Sequence, residues 1–69
     1  MKKIKIKVNG KNRSISETYQ LSDLIKHLKI PMKKVAIELN EEIIDKKKVN
    51  KIKLKQNDKI EIVHFIGGG

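Results

Sequence analysis

Apolar and polar residues alternate without a break near the start of the chain. Ile4, Ile6 and Val8 fall on one side, Lys3, Lys5 and Lys7 on the other. A period of two is the pattern of a strand with one buried and one wetted face. Asn9-Gly10 follows, the strongest short hairpin signal, because both residues accept the positive φ that a tight two-residue turn requires. The returning strand is weaker, with Arg13 and Ile15 among polar residues. The period then changes. Leu21, Leu24, Ile25 and Leu28 stand at i, i+3, i+4 and i+7, one stripe along a helix. Ser22 and Asp23 occupy its first turn, where small polar and negative side chains are favourable, and Gln20 is a weak N-cap. Lys26, His27 and Lys29 suit its C-terminal end. Pro31 pushes Ile30 out of helical geometry and is expected to stop the helix.

Beyond Pro31 the period returns to two. Val35, Ile37 and Leu39 alternate with Ala36 and Glu38, a turn is expected near Asn40-Glu41, and a short strand follows. The lysine-rich stretch over 46–58 has the weakest pattern; Val49, Ile52 and Leu54 must anchor it while its lysines face water. Asn57-Asp58 reads as a turn. In the last strand Ile60 and Ile62 share a face, and Val63 and Phe65 are out of phase with them. The expected fold is α+β: a mixed sheet of four to five strands packed on one helix, with the first and last strands, the most apolar, at its centre. The folded domain is expected over 1–66 and a flexible glycine tail over 67–69.

Composition narrows the function. A chain of 69 residues makes one domain and buries only about 60% of its unfolded surface. One thin core is possible, and a deep enclosed active site is not expected. With no cysteine, disulfides, Cys-based zinc sites and a cysteine nucleophile are excluded. Small extracellular domains usually carry disulfides. No signal-peptide pattern follows the initial Met-Lys-Lys, and no apolar run reaches membrane-spanning length, so a cytoplasmic location away from membranes is expected. The formal net charge is +9, from 17 Lys+Arg against 8 Asp+Glu. Arg13 is the only arginine, and Tyr19 and Phe65 are the only aromatic residues. The planar forks that read phosphate and guanine are therefore limited to Arg13, and a base-stacking platform of the usual kind is missing. An acidic protein partner is a better use of the charge than nucleic acid.

The chain finishes "HFIGGG". Val63 and Phe65 place apolar side chains on the sheet face opposite Ile60 and Ile62. Either they pack on a neighbouring loop or they form an exposed patch, which would mark a protein-binding surface. Glycine packs nothing and loses the most entropy on ordering, so Gly67, Gly68 and Gly69 do not serve the fold. A disordered end is the plain alternative. Bare glycines are useful where another protein must draw a chain end into a narrow channel. Three residues reach about 10 Å, and no Cβ hinders attack on the last carbonyl carbon.

"IKVNG", the stripe "LSDLIKHL" followed by Pro31, "VAIELNEEII" and "NDKIEIVHFIGGG" together resemble the ubiquitin-like β-grasp sulfur carriers, in particular the ThiS family of thiamine (thiazole) biosynthesis. The resemblance runs through essentially the whole chain. It implies a β-grasp fold and a protein that is not an enzyme and binds no cofactor. It further implies that an E1-like adenylyltransferase of the ThiF/MoeB kind uses ATP to adenylylate the Gly69 carboxylate, itself a poor electrophile. A persulfide donor then supplies sulfur, giving a C-terminal thiocarboxylate whose anionic sulfur is nucleophilic, as a cysteine thiolate is. The acceptor implied is a ThiG-like thiazole synthase. Gly67 and Gly68 are the threadable tail, and Val63, Phe65 and Ile66 the candidate partner contacts. A carrier for molybdopterin or another sulfur metabolite, a ubiquitin-like protein modifier, and a basic nucleic-acid-binding module are the competing readings.

Other residues carry less. His27 and His64 fall on different elements and read as surface or satisfied residues rather than metal ligands or catalysts. Glu41, Glu42 and Asp45 read as a solvated loop. Lys46, Lys47 and Lys48 read as a solvated face or as a dock for an acidic partner. No glycine-rich loop precedes the helix, so this chain is not expected to bind ATP.

Overall fold

Asn9 and Gly10 turn the chain with φ of 49° and 81°, as their sequence demands, and join two antiparallel strands with Val8 opposite Lys11. The computed structural model describes residues 2–65. These strands are β1 (Lys3–Val8) and β2 (Lys11–Ser16), followed by α1 (Leu21–His27), a 3₁₀ turn (Met32–Lys34), β3 (Val35–Leu39), β4 (Glu42–Ile43), a 3₁₀ helix (Lys46–Lys51) and β5 (Lys59–His64). The five strands form one mixed sheet in the order β2-β1-β5-β3-β4. The last strand lies at the centre, parallel to β1 and antiparallel to β3. This is the α+β architecture expected, with the two most apolar strands side by side. A second two-residue turn, Asn40 (φ 52°) and Glu41 (φ 72°), joins β3 to β4.

One face of the sheet is covered by α1. Leu21, Leu24 and Ile25 of the helix stripe pack with Ile6, Val8, Ile15, Val35, Ile37, Leu54, Ile60 and Ile62 to form the core. A helix of seven residues is too short to persist alone, so this buried face holds it. Its start is fixed by the Asp23 carboxylate, which accepts the Gln20 amide at 2.8 Å. Its end is not made by Pro31. Lys29 takes a left-handed conformation (φ 56°). Its amide donates to the Lys26 carbonyl, and the Ile30 amide donates to that of Ile25, both at 3.1 Å. This is a Schellman stop with lysine where glycine is usual, and Pro31 lies two residues beyond it. The lysine-rich stretch is anchored as expected: Leu54 is buried and Val49 and Ile52 pack on the core.

The start and the middle of β5 are held by side chains that act as surrogate backbone. β1 pairs with β5 only at Lys7–Lys59 and Val8–Ile60. The Asn9 carboxamide then takes over, accepting the Ile62 amide at 2.7 Å and donating weakly to the Ile62 carbonyl at 3.4 Å. At the start the Asp58 carboxylate accepts the Lys55 amide at 2.7 Å and the Asn40 carboxamide at 3.0 Å. Asn40 in turn accepts the Lys59 amide at 2.9 Å. Asp58 is the one buried charged or polar residue among those described, 9% exposed.

The expected boundary between a domain over 1–66 and a tail over 67–69 falls at residues outside those described. Among the described residues no helix is long and apolar enough to cross a membrane.

Asp58→Ala leaves two donors facing a void and is expected to lower the unfolding free energy by about 2–3 kcal/mol, with the Asn40 turn loosened. Urea denaturation measures the first and amide exchange at Lys59 the second.

Candidate functional site

The strand register divides the outward face of the sheet into bands. Lys7 lies opposite Lys59. Next along β5, Glu61 lies opposite Glu38, and after that Val63 lies opposite Ala36. Glu38 also faces Ile43 of β4. The Phe65 amide continues the β3 ladder by donating to the Lys34 carbonyl at 2.8 Å. Phe65 therefore has the parity of Val63 and lies on the same face. Ile43, Val63 and Phe65 are the exposed large hydrophobic residues among those described, at 79%, 52% and 46%. Val63 and Phe65 thus line an apolar strip beside Ala36 at the end of β5, and Ile43 adds exposed apolar surface at the β4 edge, in the row of Glu38.

Sequence phase alone identified Val63 and Phe65 as outward-facing, and the structure leaves both exposed rather than packed under a loop. Ile43 was not foreseen among the exposed apolar residues. Its signal was the two-residue turn Asn40-Glu41: with that turn fixed, Ile43 must share the outward side with Glu38. Ile66, Gly67, Gly68 and Gly69 lie outside the described residues.

Phe65 is restrained at two points. Besides its backbone bond to Lys34, the Lys46 ammonium lies 5.3 Å from its ring centroid. The same ammonium donates to the Met32 carbonyl at 2.8 Å. Lys46 is half-buried, so the run Lys46–Lys48 is not uniformly a solvated face: its first member bridges the 3₁₀ turn before β3 and the ring at the end of β5. A cation over an aromatic face contributes about 0.5–1 kcal/mol when exposed and more when desolvated. On its β1 side the end of β5 has no strand beyond the Asn9 carboxamide, so β3 and Lys46 alone set its direction among the described residues.

The remaining candidates scatter. His27 ends α1 with its ring edge-on to Tyr19 at 6.5 Å, and His64 is exposed at the end of β5 opposite Val35. Glu41 is in the turn, Glu42 is exposed in β4, and Asp45 caps the 3₁₀ helix by accepting the Lys47 amide at 3.0 Å. The described residues thus assemble no acid–base pair or nucleophile. What they build is a platform: the exposed apolar side chains of Val63 and Phe65 at a braced strand end.

The model of the ThiS family matches residues 6–69. The chain belongs to the ThiS family. Among curated relatives of this ThiS-family chain, the "Sulfur carrier protein ThiS" of Bacillus subtilis is 38% identical over 65 residues, covering 93% of this chain and 98% of that one. A "Thiazole synthase" of Paramagnetospirillum magneticum is 38% identical over 66 residues, covering 96% of this chain. The chain spans only 20% of that protein's length. Among solved structures, the thiamine biosynthesis protein (ThiS) of Geobacter metallireducens superposes with a TM-score of 0.82 at 29% identity, covering 96% of this chain and all of that one. The expected β-grasp architecture is thus the one seen in a ThiS relative.

Lys46→Met keeps the stem and removes the ammonium. It is expected to change stability by no more than about 1 kcal/mol while raising the mobility of the Phe65 amide and ring. NMR relaxation at Phe65 checks this; an unchanged order parameter would show that Lys46 does not brace the strand end.

Proposed function

We propose that this ThiS-family chain is a sulfur carrier of thiamine biosynthesis, a substrate of other enzymes rather than an enzyme itself. The observation that carries the reading is the exposed pair Val63 and Phe65, which in the sequence shortly precede three glycines. It is supported by 38% identity over nearly the full length of the Bacillus sulfur carrier. In this reading Val63, Phe65 and Ile66 contact a partner, and Gly67 and Gly68 thread the chain end into its active site.

The chemistry takes place at Gly69. An E1-like adenylyltransferase binds ATP, and a carboxylate oxygen of Gly69 attacks the α-phosphorus as pyrophosphate leaves. A persulfide sulfur then displaces AMP from the acyl carbon to give an acyl disulfide, and a second thiolate attacks the donor's inner sulfur, forming a disulfide with the donor and releasing the outer sulfur as a C-terminal thiocarboxylate. The carrier holds no nucleotide or metal in this scheme. Its fold contributes recognition and reach in a cytoplasmic setting. A thiazole synthase is the acceptor proposed. A segment like this chain makes up a fifth of the Paramagnetospirillum thiazole synthase, and segments joined in one protein commonly act together when they are separate chains.

Incubated with its adenylyltransferase, ATP and a persulfide donor, the full chain is expected to gain the mass difference of one oxygen replaced by sulfur, read by intact-protein mass spectrometry. Deleting Gly69 should abolish the gain. Val63→Asp should raise KM for adenylylation by about tenfold or more with little change in kcat, the mark of lost docking rather than lost chemistry. Conversion at wild-type efficiency by the Gly69 deletion would refute the reading.

A further inference from the structure

At the start of β5, away from the glycine end, the outward sheet face is concave and basic. A depression of about 390 Å³ is lined by Lys5, Ile6, Lys7, Asn12, Asn57 and Lys59. A second of about 250 Å³ shares Lys5 and Asn12 with it and adds Arg13 and Ser14. No carboxylate lines either one. All four cations are exposed, and Lys7 and Lys59 are register partners on adjacent strands. Like charges facing each other across strands are unfavourable, so the fold itself gains nothing from this pair. Along β5 the basic band ends at the outward pair Glu61 and Glu38.

We propose that this depression is a second contact for the activating enzyme and receives a carboxylate-bearing segment of that protein. The inference rests on the sulfur-carrier reading. Charge complementarity selects the occupant: ammonium groups are compact point charges suited to single carboxylates, and an acidic segment relieves the repulsion between Lys7 and Lys59. One partner can reach both places. From Lys59 to Phe65 is six residue steps, about 20 Å along a strand at ~3.3 Å per residue. An interface of standard size covers about 800 Å² per partner, roughly 30 Å across. The Glu38–Glu61 pair repels a uniformly acidic surface, so the partner's carboxylates are confined to the lysine end and fix the orientation of the carrier. The net charge of +9 adds long-range attraction to such a partner.

The test measures binding of the full chain to the adenylyltransferase of the same organism by calorimetry, without ATP, across a salt series. The variant K5E/K7E/K59E is compared with K26E/K48E/K51E, which makes the same charge change on α1 and the 3₁₀ helix. Denaturation curves establish that both fold, and K5Q/K7Q/K59Q provides a milder version. The expected result is a Kd raised about tenfold or more at low salt for the first variant, with a flattened salt dependence, and a change within about threefold for the second. Equal losses in both variants, unchanged affinity in the first, or no binding by the wild-type chain would overturn the proposal. So would binding of single-stranded RNA or duplex DNA that K5E/K7E/K59E abolishes while enzyme affinity is unchanged, which would give the face to nucleic acid. A wild-type chain that still gains sulfur in any of those cases leaves the carrier reading standing.

Discussion

The amide and carbonyl of Ile62 lie in the middle of the sheet, and the strand that should pair with them has already turned away. Ile62 is buried, and buried peptide groups need partners. Asn9 provides one with its carboxamide while its own backbone makes the turn that ends β1. One residue thus closes the hairpin and extends the ladder of the neighbouring strand. Because the extension is a side chain and not a strand, it stops after Ile62. The rest of β5 leaves the sheet held on the β3 side only.

The start of β5 repeats the device with different residues. Asp58 and Asn40 tie the turn before β5 to the turn after β3, so the central strand is clamped by polar side chains at its start and its middle, with aliphatic packing between. Clamping of this kind fixes register, and register decides the outward face. A slip of one residue would bury Val63 and Glu61 and expose Ile60 and Ile62. The sequence of bands on that face, basic, then acidic, then apolar, is therefore set by three turn residues.

The sheet and helix were legible because their periods are clean: Ile4, Ile6 and Val8 at two, and Leu21, Leu24, Ile25 and Leu28 at the helical spacing. The turns at Asn9-Gly10 and Asn40-Glu41 were legible from turn chemistry. The second task of those asparagines was not, because Asn9 meets Ile62 across 53 positions and Asn40 meets Asp58 across 18, and no local pattern records such a meeting. The helix stop was misassigned for a related reason. Pro31 is a conspicuous breaker, whereas a lysine in left-handed conformation leaves no mark in composition. In the candidate site, phase revealed Val63 and Phe65. Ile43 needed the register of a two-residue strand, and Lys46 looked like one of three equivalent lysines until the fold brought Phe65 beneath it.

The central strand is also the last in chain order among the described residues. Pairing of Lys7 with Lys59 joins strands 52 positions apart, a non-local contact of the kind that forms late. A nascent chain that stops before Lys59 has neither Ile60 nor Ile62 to fill the core, and it leaves β1 and β3 without the strand that should separate them. Such a fragment cannot close the sheet and is exposed to proteolysis. Closure of the core and ordering of the outward face are therefore a single cooperative event: a chain broken before Lys59 loses both together.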